Sequence, residues 1–86
     1  MNNVTIYHKD YCPYCKAAKR LLFIQGIEYK EIEVSNDALA FKDMVKKSGR
    51  KTVPQIFIGD VHLGGFDDLQ ARLMSKTFPF NQKNIA

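Results

Sequence analysis

Apolar and polar residues repeat with two different periods along this 86-residue chain, and each change of period marks the edge of an element. Val4-Thr5-Ile6-Tyr7 alternates as a strand does. Pro13 then stands at a favoured first helical position, and Ala18, Leu21 and Leu22 recur at helical spacing with Lys16, Lys19 and Arg20 facing outward. Gly26 closes that helix. Tyr29-Lys30-Glu31-Ile32-Glu33-Val34 alternates as a second strand, and Ser35-Asn36-Asp37 offers side-chain oxygens that cap the next helix. Its stripe is Ala38, Phe41, Met44 and Val45, ended by Ser48-Gly49. Gln55-Ile56-Phe57-Ile58 and Val61-His62-Leu63, joined by Gly59-Asp60, predict a hairpin. Phe66, Leu69 and Leu73 mark a last helix entered from Gly64-Gly65. Thr77 to Ala86 has no clear period, so a single domain is expected over 1–76 and a loop-like tail over 77–86.

The order β-α-β-α-β-β-α predicts an α/β fold. Strand, helix, strand implies a parallel pair with a crossover helix, and the hairpin adds antiparallel neighbours. The expected product is a mixed four-stranded sheet flanked by helices.

Composition narrows the function more than the fold. Thirteen Lys and Arg against nine Asp and Glu leave a formal charge of +4, spread over Lys16, Lys19, Arg20, Lys46, Lys47, Arg50 and Lys51. Nucleic-acid binding is not expected, because neither basic residues interleaved with exposed aromatics nor a known module is present. A mild positive field would instead steer a small anion toward the protein. Apolar runs are too short to span a bilayer, and Met1 to Asp10 has no h-region of a secretory leader, so a cytoplasmic chain is expected.

Cys12-Pro13-Tyr14-Cys15 supplies the candidate chemistry. It lies between the first strand and the first helix, where two thiols one helical turn apart can close into one another and reopen. In a small βαβ-type chain this spacing reads as a redox motif. N–H groups of the first helical turn have no intrahelical partner, and they stabilise a thiolate placed among them. Cys12 is therefore the expected nucleophile and Cys15 the resolving thiol. No metal is expected, because no second Cys pair or His pair completes a four-ligand site. His8 and His62 read as surface or strand residues.

Taken with Thr52-Val53-Pro54-Gln55 and Gly64-Gly65-Phe66-Asp67-Asp68, that motif makes the chain resemble the short, bacterial dithiol glutaredoxins from about Val4 to Met74. The resemblance implies a thioredoxin-like fold, glutathione as reductant, and reduction of protein disulfides and glutathione mixed disulfides. Glutathionylated or disulfide-containing proteins, with ribonucleotide reductase as a candidate, are the implied partners of a monomer. It further implies a cis bond before Pro54, and a glutathione groove drawn from Lys9, Tyr14, Thr52, Val53, Pro54, Gly65, Phe66 and Asp67. Val53 would pair with the cysteinyl backbone of glutathione as an added strand does. The γ-glutamyl carboxylate would meet the helix N–H groups at Phe66 and Asp67, and Asp67 its ammonium. Phe41 departs from the pattern, since many glutaredoxins carry Arg, Gln or Lys there for the glycyl carboxylate; Lys42 or Lys51 is the expected substitute. Phe66 stands where a further cysteine is common. Two other readings share these residues: a redoxin coupled to thioredoxin reductase, and an iron–sulfur module with glutathione as co-ligand.

Overall fold

The computed structural model describes residues 3–75, and the tail expected over 77–86 lies outside the described residues. Seven elements follow one another: β1 (Val4–His8), α1 (Pro13–Ile24), β2 (Tyr29–Glu33), α2 (Ala38–Ser48), β3 (Gln55–Ile58), β4 (Val61–Gly64) and α3 (Phe66–Met74). Their order is the one that the hydrophobic pattern predicts. Among the described residues the strands form one mixed sheet in the order β2-β1-β3-β4.

β1 runs parallel to β2, with Val4 opposite Tyr29 and His8 opposite Glu33. A parallel pair cannot close through a tight turn, so α1 makes the crossover. Against β3 the same strand runs antiparallel, with Val4 opposite Ile58 and Tyr7 opposite Gln55. The β3–β4 hairpin pairs Ile56 with Gly64 and Ile58 with Val61, and its register shifts between Ile56 and Phe57.

Alternation along the strands sends their side chains to two faces. On one, Val4, Ile6 and Ile56 meet Ala18 and Leu22 of α1 and Leu69 of α3. On the other, Tyr7 and Phe57 meet Met44 of α2, with Val34 beside them. Burying each large apolar side chain contributes about 1.5–3 kcal/mol against the entropy of ordering the chain. A polar tether adds direction on the α2 side. Tyr7, buried in the sheet, donates its hydroxyl to Asp43 Oδ2 at 3.0 Å, and Asp43 pairs with Lys47 at 3.1 Å.

Two residues depart from the expected pattern. Ala38 lies exposed, because it starts α2 in the turn where Asp37 accepts from the Ala40 N–H at 3.0 Å; the packed stripe begins later, at Ala40 and Phe41, and runs to Met44. Lys19 does not face freely outward but turns its Nζ to Glu31 Oε1 of β2 at 3.2 Å. His8, expected as a surface or strand residue, is the latter, only 3% exposed and with Nε2 3.3 Å from the same Glu31 oxygen.

Strand direction and register decide where the chemistry sits. β1 ends at His8 and leads to Cys12, β3 begins at Gln55 opposite Tyr7, and β4 ends at Gly64 and leads into α3. All three motif-bearing segments therefore leave one end of the sheet.

Candidate active site

Cys12 is the N-cap of α1, held there with extended backbone at φ −86° and ψ 117°. Its Sγ accepts the Cys15 N–H at 3.3 Å, which satisfies one of the helix's otherwise unpartnered donors. Pro13 follows at the first helical position, where a missing N–H costs no helical bond. On the other side Cys12 Sγ lies 3.8 Å from the Val53 carbonyl oxygen, a weak S–H donor contact that joins the redox motif to the loop before β3. Both cysteines are free thiols.

The two thiols have different surroundings. Cys12 is half-buried and Cys15 wholly buried. Burial first, then the hydrogen bond to Cys12, pushes the Cys15 thiol up to about 12 from its ordinary 9.0. The folded chain therefore favours the protonated thiol, a stabilisation fully present below about pH 9 and lost as pH rises toward 12. Urea midpoints of the wild type are expected to fall more steeply above pH 9 than those of Cys15→Ser, which has no thiol to ionise there. Parallel curves would contradict this account.

Beyond the Val53 contact the chain makes a cis Val53–Pro54 bond and enters β3. A cavity of about 300 Å³ opens beside this segment, at the small end of ligand pockets. Thr52, Val53 and Pro54 form one wall. The opposite wall is the start of α3, with Gly65, Phe66 and Asp67. Tyr14 closes one side, 64% exposed and with its ring 5.8 Å from that of Phe66.

Two glycines let β4 turn into that second wall. Gly64 has φ +128°, a conformation other residues rarely adopt. At Gly65 a Cβ would stand 3.3 Å from the Pro54 carbonyl oxygen, so its absence lets the two walls approach. Asp68, at the third position of α3, reaches back to accept the Gly65 N–H at 2.9 Å. Asp68 is thus a cap, while Asp67 is exposed along the cavity.

Seven of the eight groove residues expected from sequence line this one cavity. Lys9 does not. Its ammonium lies over the Phe41 ring, 5.6 Å from the centroid, in a second cavity of about 430 Å³ bounded by Tyr11 and the loop before α2. Phe41 itself is half-buried and packs against the Tyr7–Met44 cluster. Neither Lys42 nor Lys51 lines either cavity, and both are exposed. The cation at the first cavity is Arg50, whose Nη1 lies 3.5 Å from Asp68 Oδ2. Sequence reasoning passed over Arg50 as one of a run of basic residues, since only folding brings it across to α3. Among the described residues no cluster of three or more His, Cys, Asp or Glu side chains is placed to hold a metal ion.

This arrangement puts a reactive thiol at a helix start, beside an extended backbone edge and a second helix start. The comparisons agree with what it can do. A family profile described as Glutaredoxin matches residues 4–63. The chain is 51% identical over 71 residues to Glutaredoxin 3 of Escherichia coli (strain K12), covering 83% of this chain and 86% of that protein. Among solved structures it is similar to the glutaredoxin of Brucella melitensis, at 48% identity and a TM-score of 0.76, covering 87% of this chain and 82% of the other. It is also similar to the buckwheat glutaredoxin–glutathione complex, at 27% identity and a TM-score of 0.83, covering 96% and 78%.

Proposed function

The chain belongs to the glutaredoxin family, and from that premise we propose that Cys12 and Cys15 carry out disulfide exchange with glutathione held between Thr52–Pro54 and Gly65–Asp67. It is a glutathione-dependent thiol-disulfide oxidoreductase with a thioredoxin-like fold, and glutathione is its co-substrate. The relatives do not favour a redoxin coupled to thioredoxin reductase or an iron–sulfur module. One observation carries the assignment of residues: Cys12 Sγ touches the carbonyl of Val53, the residue that fronts the cavity shared with the start of α3.

With a glutathionylated protein, the Cys12 thiolate attacks the glutathione sulfur. The protein thiolate leaves and takes up a proton, and Cys12 becomes bonded to glutathione. A second glutathione thiolate attacks the sulfur of that bound glutathione, releasing oxidised glutathione and restoring the Cys12 thiolate. With a protein disulfide, Cys12 first forms a mixed disulfide with the substrate. Cys15 then gives up its proton and attacks Cys12 Sγ, expelling the second substrate thiolate and leaving a Cys12–Cys15 disulfide that two glutathiones reduce.

In the groove, Val53 N–H and C=O pair with the cysteinyl backbone of glutathione, and Tyr14 flanks the mixed disulfide. Free N–H groups at Phe66 and Asp67 face the γ-glutamyl carboxylate. Outside this cavity, Lys9 over Phe41 in the adjoining one takes the glycyl end where glutathione runs on past Val53. The domain spans 1–76 and acts as a cytoplasmic monomer on glutathionylated and disulfide-containing proteins, ribonucleotide reductase among them. No helix of the described residues is long and apolar enough to cross a membrane.

Reduction of a small glutathione mixed disulfide, coupled to glutathione reductase and NADPH, tests the reading directly. Asp67→Ala is expected to raise KM for glutathione by roughly two- to fivefold, the worth of one exposed charge-assisted contact. Protein disulfide reduction started from prereduced enzyme should hardly change, because that half-reaction does not use the γ-glutamyl ammonium. An unchanged KM would make Asp67 a helix-terminal charge and nothing more.

A further inference from the structure

Along the foot of the Thr52–Val53 wall runs a half-buried line of hydrogen bonds that the exchange chemistry does not use, from exposed Thr52 through Gln55, which itself lines the cavity, to half-buried His62. Gln55 opens β3 and is 1% exposed. Its Nε2 donates to the Thr52 carbonyl oxygen at 3.0 Å and to Thr52 Oγ1 at 3.1 Å, so both acceptors belong to one residue. Its Oε1 lies 2.7 Å from His62 Nε2. A carboxamide oxygen only accepts, so His62 donates from Nε2 at that contact. The imidazole is set in turn by Phe57, with ring centroids 4.9 Å apart.

We propose that Gln55 and His62 are positioning residues for glutathione, acting through the peptide plane between Thr52 and Val53. This rests on the reading that Val53 pairs with the cysteinyl backbone. In a planar trans peptide the carbonyl oxygen of one residue and the N–H of the next point to opposite sides. Drawing Thr52 O inward onto a buried amide therefore turns Val53 N–H outward, to the side of the groove. The relay works only with the Gln55 amide in one orientation. Flipped, its oxygen would face Thr52 O, acceptor against acceptor. The Thr52 carbonyl opposes the flip, and His62 in its Nε2–H tautomer reinforces the working orientation by donating to Oε1, as the imidazolium form does from the same nitrogen. The hairpin thus fixes, at a distance, the direction of the backbone donor that reads glutathione.

Gln55→Met keeps the length of the side chain and removes its donors and acceptor. His62→Phe keeps a ring against Phe57 and removes the donor. In the coupled assay KM for glutathione is expected to rise about tenfold in Gln55→Met and about threefold in His62→Phe, the scale of one lost buried hydrogen bond or less, with kcat within about twofold of wild type. His62→Gln restores a donor and is expected to recover most of the loss. In amide NMR spectra of the free protein, the Val53 cross-peak should move in Gln55→Met and His62→Phe while those of Ile6 and Leu22 in the core stay in place. A wild-type KM in both variants, a fall in kcat at constant KM, or an unmoved Val53 resonance each overturns the relay. If Gln55→Met does not fold, His62→Phe decides by the same readouts. A wild-type enzyme that fails to saturate with glutathione sinks the groove reading itself, whatever the two variants do.

Discussion

Cys12→Ser is expected to abolish turnover on every disulfide substrate, while Cys15→Ser keeps reduction of glutathione mixed disulfides and loses most reduction of protein disulfides. Both routes begin with attack by a thiolate at the start of α1, where Sγ already accepts a backbone N–H at 3.3 Å. A serine hydroxyl at that position is not a comparable nucleophile and cannot form the mixed disulfide. Cys15 enters only when the partner is a protein disulfide and no second glutathione reaches the mixed disulfide first. Its buried thiol, pushed up to about 12, stays protonated near neutrality and so does not compete for the initial attack. The measurement is a pair of steady-state assays, one on a glutathione mixed disulfide and one on a protein disulfide. Substantial turnover by Cys12→Ser in either assay would sink the division of labour.

How much of this is legible in the sequence depends on how local each signal is. The elements came through because hydrophobic period, Pro13 at a helix start, Asp37 at a cap and Gly49 after α2 all act within a few residues of themselves. The pairing order β2-β1-β3-β4 adds long-range contacts, but a parallel βαβ unit followed by a hairpin leaves few alternatives. Burial at the periphery was harder to read. His8 and Lys19 are polar residues drawn toward the edge strand by Glu31, a partner no spacing rule connects to them.

The same distinction divides the site. The two cysteines and the Thr52–Pro54 and Gly65–Asp67 segments were readable as motifs. Tyr14 is readable with the cysteines that flank it, but the roles of Arg50 and His62 are not, because folding makes them. Arg50 crosses from the loop after α2 to Asp68 of α3. His62 reaches Gln55 only through the hairpin pairing of β3 and β4. Lys9 illustrates the reverse: its place in the sequence beside the cysteines suggested the shared groove, yet the Phe41 ring holds it over a neighbouring cavity.

Gly64→Ala is expected to cost about 2–4 kcal/mol of stability and to weaken glutathione binding with it. The backbone there has φ +128°, which an L side chain adopts only under strain of about 1–3 kcal/mol. A second cost comes from α3. An added Cβ would run into the Asp68 carboxylate and stand 2.7 Å from Asp68 Cβ, so the side chain that caps Gly65 N–H must move. Losing such a cap costs about 1 kcal/mol. A domain of this size loses roughly 4–8 °C of melting temperature per kcal/mol, so the midpoint should fall by about 10 °C or more. The two costs can be separated because only one of them passes through Asp68. Asp68→Ala alone should cost about 1 kcal/mol, and Gly64→Ala introduced into that variant should cost less than it does in the wild type, because the overlap is gone and the cap already lost. What remains in the double variant is the backbone conformation alone. Strictly additive costs would mean that Gly64 and Asp68 do not compete for the same space. A melting temperature for Gly64→Ala close to that of the wild type would mean that β4 can enter α3 without the left-handed turn. In that event the groove wall at Gly65–Asp67 would owe its position to something other than this glycine.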